Sequence, residues 1–432
     1  MKKRSVMFCL LAAFLTISML ASGCAPGAQK PAAAKAEAGP AKGDVIVWGW
    51  ADQWLEVFDE YKKINPNLKV DYIPVDAGVE FITKFTTAIN SGTDVPDMAW
   101  MELGSRGKLL SIPNAWEKLE KPPYNLNRAE MLEGCIPLCT NTEGEILGVE
   151  CGPGVAGMAY RRDLAREYFG TDDPKELEKI ITSWDVITER GIEVRTLSNG
   201  EIFMFSSLSE VFQIMNDSSS IPYIVEGKLN LDKAIYPFLQ KLEKMRDDKI
   251  VDLLDAWTPA WNASYAERRH IFAPCATWSP RHVIKPNDPE GSGNWGLMMP
   301  PTGAFNWGGT LFGIPTAAKN KAGSWELIKW SIFSEDGGKV VRDKIQFLSA
   351  YKPIYNNPDF YNVPDEYFGG QNVMGTFAEL LTKVKPKQII PEDSVINDSI
   401  GQGIKSMVSG ASADEALKLI KDEIVRKIPE LG

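Results

Sequence analysis

Two tryptophan–carboxylate pairs follow predicted strands near the start of the chain. Trp50 and Asp52 come after the first strand, and Trp100 and Glu102 close and follow the third. An indole ring can stack on an apolar C–H face, and a carboxylate accepts hydrogen bonds from hydroxyl groups at the edge of a ring. These residue types suit a ligand that has apolar faces and hydroxyl groups at its edges, such as a sugar. Asp52 could also serve as the N-cap of the helix that follows it.

Other tryptophans lie beside glycine or proline, where turns and breaks between elements are common. Residues in such segments can either bind a ligand or belong to the core. Arg281 could be a surface charge, or it could pair with an acidic group and direct the site towards uronic acid sugars. The candidates in this part of the chain are Asp255, Trp261, Trp278, Arg281, Trp307 and Gly308. The tryptophans on helical patterns are predicted to be core, namely Trp54, Trp184, Trp325 and Trp330.

Alternating strand and helix patterns supply a scaffold for these side chains. Apolar runs at 45–48, 69–74 and 97–101 predict strands, and the apolar spacing between them predicts two helices. This βαβαβ order predicts a parallel sheet with helices on both faces. Ligands of such sheets bind at the carboxyl ends of the strands, where both tryptophan–carboxylate pairs lie.

The N-terminus has the pattern of an export signal. A basic segment is followed by a short apolar run and then by Ala-Ser-Gly-Cys, which resembles the lipobox of bacterial lipoproteins. We expect a signal peptide at residues 1–23, an acylated Cys24 and a flexible linker at 24–43, because the linker lacks aromatic residues and apolar periodicity. The alternative is a single membrane-spanning anchor, but the apolar run falls short of the roughly 20 residues that a span needs.

Composition and motifs argue against several classes of function. The 57 acidic and 47 basic residues give a net charge of −10, so we expect no nucleic acid partner. The sequence lacks the P-loop, HExxH and GxSxG patterns. A GxGxxG match at 291–296 is predicted to be a loop, because a dinucleotide site needs a strand before it and a helix after it. We expect no cofactor and no metal.

The cysteines that remain after Cys9 and Cys24 are assigned to the N-terminal segment could pair or stay free. Residues 136–150 resemble a hairpin turning at 142–144, which would bring Cys135 near Cys151 and permit a disulfide in an exported protein. Structural or free thiols are the alternative. A zinc site is not expected, because the two histidines are far from these cysteines in sequence.

Several segments together resemble the extracellular solute-binding proteins of ABC importers, in the group that includes maltose-binding protein. They are a small-residue turn before a Pro-Asp strand, a Tyr-containing strand followed by Ser-Trp-Asp, a glycine-rich strand with its helix, and two closing helices. Their positions are 91–97, 157–164 with 183–185, 305–321 with 325–330, and 404–420. These segments occur in the order that the family shows.

The resemblance implies an α/β, two-lobed periplasmic-binding-protein-like fold of type II, in which each lobe is a sheet flanked by helices and the hinge is crossed more than once. The N-lobe would comprise residues 44–153 and 305–352, and the C-lobe 154–304 and 353–432. Tyr351 lies at the third expected crossing of the hinge, around residues 350–353, and joins the candidate ligand-binding residues.

The resemblance also implies a substrate-binding lipoprotein rather than an enzyme. The protein would be anchored outside the cytoplasmic membrane by its lipid and would deliver a sugar or oligosaccharide to the transmembrane subunits of an ABC importer. We expect it to be a monomer. Two alternatives share these residues: an exported glycoside hydrolase, with its carboxylate pair drawn from Asp52, Glu102 and Asp255, and a binding receptor for a sensor protein.

Overall fold

The computed structural model describes residues 41–50 and 52–432. The predicted signal peptide, Cys24 and all but the last residues of the predicted linker lie outside the described residues. The described chain joins the folded body ahead of the predicted start at residue 44. The Ala41 N–H donates to Glu326 Oε2 (2.7 Å), and its carbonyl accepts from Asn65 Nδ2 (2.8 Å).

The described part of the chain contains nine strands and seventeen α-helices. The strands are β1 (Gly43–Gly49), β2 (Leu68–Pro74), β3 (Met98–Glu102), β4 (Val149–Arg161), β5 (Ile224–Val225), β6 (Lys228–Leu229), β7 (Phe272–Ala276), β8 (Trp295–Met298) and β9 (Phe305–Gly313). The helices are α1 (Trp54–Ile64), α2 (Val79–Ser91), α3 (Leu103–Leu110), α4 (Ile136–Cys139), α5 (Arg162–Phe169), α6 (Pro174–Ile180), α7 (Trp184–Leu197), α8 (Leu208–Asp217), α9 (Leu231–Ala234), α10 (Tyr236–Asp247), α11 (Pro259–Ser264), α12 (Lys285–Asn287), α13 (Lys321–Phe333), α14 (Glu335–Ile345), α15 (Val373–Leu381), α16 (Asp393–Val408) and α17 (Ala413–Lys427). Within residues 41–50 and 52–432, no helix is both long and apolar enough to cross a membrane.

The N-terminal βαβαβ unit is confirmed. Strand β1 pairs in parallel with β2 on one side and with β3 on the other. Its apolar side chains Val45 and Val47 are fully buried, as expected for a parallel strand covered on both faces. Helix α2 ends at Gly92, which adopts a left-handed conformation (φ 68°) that glycine tolerates without strain. This unit places the ends of β1 and β3 at one edge of the sheet.

Two long antiparallel strands, β4 and β9, connect this unit to the rest of the sheet, whose order is β2-β1-β3-β9-β4-β7 with β8 also paired to β4. The β4–β9 pairing shifts register between Glu150 and Gly152 and again between Pro153 and Val155, next to the predicted first crossing. The close approach of the strands requires glycine at Gly309, which has φ 115° and where a Cβ would lie 3.1 Å from the Gly154 nitrogen.

The buried apolar residues form two core clusters. The first includes β1, β3 and the inward faces of α1 and α2, and the second includes α8, α10 and α17. Phe377 and Leu380 of α15 belong to the first cluster, although the predicted boundaries assign that helix to the C-lobe. The lobe boundaries stay a prediction.

The segment before β4 differs from the predicted hairpin. The turn is where it was expected, since the Gly144 N–H donates to the Asn141 carbonyl (3.0 Å) and Thr140 bridges Ile146. The chain before the turn, however, is the short helix α4, which Pro137 favours in its first turn. The predicted Cys135–Cys151 disulfide is wrong for this structure, in which both are buried free thiols, as are Cys139 and Cys275.

The GxGxxG match is a loop, as predicted. Residues 291–294 form turns, and Trp295 then begins β8 rather than a helix. The arrangement lacks the strand–turn–helix order that a dinucleotide site needs.

Candidate ligand-binding site

A cavity of about 740 Å³ lies at the carboxyl ends of β1 and β3. Its other walls come from the β4–β9 crossing, from α8 and α16, and from the connection between α15 and α16. The volume is in the range of small-molecule sites, and the position agrees with the general rule for parallel sheets. Residues of both core clusters line it, so the cavity lies between the two cores.

Three tryptophans form an aromatic cluster at one side of the cavity. The ring centroids of Trp278 and Trp307 are 4.7 Å apart, and Trp257 lies 6.0 Å from Trp278 and 5.7 Å from Trp307. Trp278 is fixed by its indole N–H, which donates to the Trp307 carbonyl (2.8 Å). All three tryptophans line the cavity, and indole rings suit stacking on an apolar ligand surface.

Trp257 is an unusual member of this cluster because it is both exposed and conformationally strained. It is 58% exposed and has φ 68°, a left-handed conformation that costs a bulky residue about 1–2 kcal/mol. Strained backbone of this kind clusters at functional sites. An exposed tryptophan held in this way is available to a ligand, and the rest of the fold must compensate for its strain.

A second aromatic group lines the wall formed by the N-terminal unit. Trp50 makes an edge contact with Trp100 (5.9 Å between centroids) and with Phe81 (6.4 Å). Trp100 is nearly fully buried, and its indole N–H has no hydrogen-bond partner among the described residues. The Nδ2 group of Asn306 likewise lacks a partner within the described chain. Both side chains line the cavity, although these two nitrogen atoms are themselves buried.

Glu102 joins β3 to α3 and is positioned by helix capping. Its Oε2 atom accepts a hydrogen bond from the Gly104 N–H (2.8 Å) at the start of α3. A carboxylate at this end of a helix is favoured by the helix dipole. The side chain is half-buried and lines the cavity, and its carboxylate keeps acceptor capacity after this bond.

A fully buried ion pair supports this corner of the site. Arg106 of α3 donates to Glu150 Oε1 of β4 (2.5 Å) and to the Leu138 carbonyl (3.2 Å). Burial raises the pKa of Glu150 to about 7 despite the neighbouring guanidinium. The pair connects α3 to the start of the β4–β9 crossing, so it holds the wall that carries Glu102.

Polar side chains make up the wall opposite the N-terminal unit. They come from α8 and the segment that follows it, from the connection between α15 and α16, and from the first turns of α16. The polar residues of this wall are Ser209, Gln213, Asn216, Asp217, Tyr223, Lys387, Gln388, Asp393 and Asn397. The site therefore combines aromatic faces with many donors and acceptors, as a ligand rich in hydroxyl groups requires.

The structure brings six of the predicted residues together on the cavity wall. They are Trp50, Trp100, Glu102, Trp278, Trp307 and Gly308. Gly308 has φ 74°, which lets β9 turn beneath Trp278. Their contact with a ligand stays a prediction.

Two predicted aromatic residues, Trp261 and Tyr351, do not line the cavity. Trp261 is fully buried, and its indole N–H donates to Glu210 Oε1 (2.9 Å). Tyr351 packs edge-on against Phe333 (5.9 Å between centroids). Packing within the protein takes up both rings, so neither is placed at the cavity wall.

Three predicted charged residues also lie off the cavity wall. Asp52 and Asp255 are exposed, and the Asp255 carbonyl accepts from Thr258 Oγ1 (2.7 Å). Asp52 is not the N-cap of α1 either, because Gln53 holds that position without a side-chain hydrogen bond. Arg281 donates to the Lys344 carbonyl (3.3 Å) and lies 3.7 Å from Glu56.

Of the two tryptophans that flank residues 258–260, sequence reasoning chose Trp261 rather than Trp257, and it placed Trp54 only in the core. Trp54 is nearly fully buried as predicted, yet it also lines the cavity. The signal for Trp257 was the Thr258-Pro259 pair, which is typical of a helix start. Thr258 caps α11 by accepting from the Trp261 N–H (3.3 Å), so Trp261 turns into the core and Trp257 remains ahead of the helix.

Two cores joined by a pair of long strands, with an aromatic and polar cavity between them, define a two-lobed α/β binding protein. The chain belongs to the family of bacterial extracellular solute-binding proteins, which it matches over residues 48–337. The fold is therefore that of the type II periplasmic binding proteins, as predicted.

Several similar proteins agree with this family. The lactose-binding protein of Rhizobium radiobacter is 24% identical over 418 residues, which cover 89% of this chain and 93% of that protein. The crystal structure of an extracellular solute-binding protein of family 1 has a TM-score of 0.80 at 21% identity and covers 89% of this chain and 99% of its own. A third similar structure is the galacto-N-biose/lacto-N-biose I-binding protein of an ABC transporter from Bifidobacterium longum, in complex with lacto-N-biose. It has a TM-score of 0.71 at 16% identity and covers 90% of this chain and 97% of its own.

Proposed function

We propose that this protein captures a sugar or oligosaccharide in the cavity and delivers it to the membrane subunits of an ABC importer. The observation that carries the proposal is the cavity wall itself, which combines tryptophan rings with carboxylate and amide side chains. A sugar ring offers apolar faces and hydroxyl edges, which match these two kinds of group. The names of the relatives, which bind lactose and lacto-N-biose, support the same class of ligand.

Capture would proceed by closure of the lobes about the β4–β9 crossing. The proposed lobes comprise residues 44–153 with 305–352 and residues 154–304 with 353–432. The two register shifts in β4 support a hinge there, because bulges disrupt the ladder and permit bending. A closed form that only the liganded protein populates would tell the importer that cargo is present.

Attachment to the membrane would keep the captured ligand near the importer. In this proposal Cys24 carries the acyl chains, and residues 24–43 form the flexible linker. Replacing Cys24 with serine should move the protein from the membrane fraction to the extracytoplasmic soluble fraction while sugar binding stays unchanged. Retention of the C24S protein in the membrane fraction would refute lipid anchoring.

The test of binding is a titration of purified protein with lactose, maltose and galactobiose, followed by tryptophan fluorescence and by chromatography of the sugar. Several indoles line the cavity, so binding should change the fluorescence and raise the melting temperature. The sugar should be recovered intact after hours of incubation. Release of monosaccharides would favour the hydrolase instead, although only Glu102 of its three predicted carboxylates lines the cavity.

A further inference from the structure

Three charged side chains from separate parts of the sequence meet on the polar wall of the cavity. Asp217 ends α8, Asp393 begins α16, and Lys387 lies in the connection that leads into α16. All three are half-buried and line the same cavity as the tryptophans. Partial removal from water raises the pKa of both carboxyl groups to about 6 and lowers that of the Lys387 ammonium to about 8. At pH 7 these values keep the ammonium and most of both carboxyl groups charged.

The ammonium of Lys387 is held in place by neutral groups. It donates to the Asn216 carbonyl (2.8 Å) and to Asn216 Oδ1 (2.9 Å), and it lies 4.4 Å from the centre of the Tyr223 ring. The nearby charges of Asp217 and Asp393 favour its protonated form. An ammonium has three N–H donors, so one is left for a group in the cavity.

The two carboxylates are also fixed by neighbours and keep acceptor capacity. Asp393 Oδ2 accepts from the Ile390 N–H (2.9 Å), and Asp217 Oδ1 accepts from Asn216 Nδ2 (2.7 Å). Gln213 donates to the other oxygen of Asp217. A carboxylate has about four lone-pair sites, so each retains acceptors after these bonds. The cluster therefore offers both a donor and acceptors, which is what a hydroxyl group uses when it donates and accepts at once.

The charge of the whole cavity is unfavourable to an anion. Within the described chain, the wall carries the carboxylates of Glu102, Asp217 and Asp393 against the single ammonium of Lys387. His282 also lines the cavity, but burial and the adjacent Arg281 lower its pKa, so its imidazole is neutral at pH 7. Arg281 itself is engaged outside the cavity with Lys344 and Glu56.

We propose that Lys387, Asp217 and Asp393 form a hydroxyl-binding subsite that selects an uncharged sugar and rejects a uronic acid. This inference rests on the proposed sugar-binding function. The ammonium donates to a sugar oxygen while the carboxylates accept from its hydroxyl hydrogens. A uronate brings a fourth negative charge to a wall that has only one positive group to meet it.

The first test compares neutral and acidic sugars on the wild-type protein. Galactobiose, lactose and maltose would be titrated by calorimetry beside digalacturonate and glucuronate. We expect a neutral sugar to bind at least about 30-fold more tightly than either acid, because like-charge contacts in a binding site are costly. Equal affinity for a neutral sugar and an acid would overturn this inference alone. Failure of every neutral and acidic sugar to bind would overturn the proposed function.

Variants then locate the selection in the subsite. Lys387→Met should weaken neutral-sugar binding by about 10- to 100-fold, the usual worth of a hydrogen bond to a charged group. The double variant with Asp217→Asn and Asp393→Asn should lower the ratio of the affinity for a neutral sugar to the affinity for an acidic sugar by about tenfold or more. The reason is that it removes two negative charges from the cavity wall. If these residues had only a structural role, the variants would weaken the binding of all sugars equally and leave that affinity ratio unchanged. That result would refute the subsite.

Matched controls come from the same segments of the chain. Lys383→Met removes an ammonium that pairs with Glu379 outside the cavity, and Asp398→Asn removes an exposed carboxylate of α16. Both should leave the affinities within about twofold of wild type. Melting curves of every variant establish that it is folded. If Lys387→Met does not fold, the double asparagine variant decides the outcome by its affinity ratio.

Discussion

Trp257 should contribute to ligand binding far more than to stability. The residue lines the cavity and is 58% exposed, and its φ of 68° is strained. Replacing it with alanine therefore removes little packing from the core while it removes an indole face from the binding wall. We expect Trp257→Ala to bind sugar weakly while it unfolds close to the wild-type temperature.

The magnitude follows from the exposed area. The solvent-accessible surface of a tryptophan is roughly 250 Å², so the exposed 58% of Trp257 is about 145 Å². A sugar that covers half of this removes about 70 Å² from water, which at about 25 cal/mol per Å² is worth about 1.8 kcal/mol. The expected loss of affinity in Trp257→Ala is thus about 20-fold.

Calorimetric titration with the neutral sugar that binds best would measure this loss. Trp257→Phe keeps a smaller ring and should lose less affinity than the alanine variant. Trp257→Gly should lose as much affinity as alanine but unfold no earlier, because glycine accepts this φ without a Cβ clash. An alanine variant within twofold of wild type would refute the reasoning, and so would a glycine variant much less stable than the alanine variant.

Two further predictions concern the buried charges. Arg106→Met should lower the free energy of unfolding in urea by about 3–5 kcal/mol, because Glu150 is left buried without its partner. Adding Glu150→Gln to this variant should recover much of that loss. An Arg106→Met variant as stable as wild type would contradict the prediction. Burial raises the pKa of Glu210 to about 7 in the folded protein, above the ordinary value of 4.5. The folded state therefore holds this proton more tightly than the unfolded state does. The contribution of Glu210 to the free energy of unfolding is fully present below pH 4.5 and is lost as the pH rises through 7. Glu210→Gln lacks this loss, so its free energy of unfolding in urea should gain about 3 kcal/mol relative to wild type between pH 4.5 and pH 8. The exposed Glu193→Gln should show no such gain. Equal pH dependence of Glu210→Gln and wild type would contradict the assignment.

Local patterns predicted the N-terminal scaffold well. The apolar runs and helical spacing before Glu102 fix β1, α1, β2, α2 and β3, because each element there buries one regular face or a whole strand. The same reasoning placed Trp50, Trp100 and Glu102 on the cavity wall, since they follow strands whose carboxyl ends meet at one edge.

The polar wall could not be predicted in the same way. Asp217, Lys387 and Asp393 are brought together by long-range packing of α8 against α16, and no spacing in the sequence relates them. The choice between Trp257 and Trp261 depended on where α11 begins, which a cap residue decides within one turn. Arg281 carried a charge that suited an acidic ligand, but its side chain is engaged by Glu56 and Lys344 outside the cavity.

The central claim is that the tryptophan-lined cavity binds a sugar without altering it. Its most direct test is calorimetric titration of wild type and of the variant with both Trp278→Ala and Trp307→Ala, with chromatography of the sugar afterwards. We predict saturable binding of one sugar molecule per wild-type chain, intact sugar at the end, and severe loss of binding in the folded double variant. Wild-type affinity in the double variant, within a factor of two, would contradict the account.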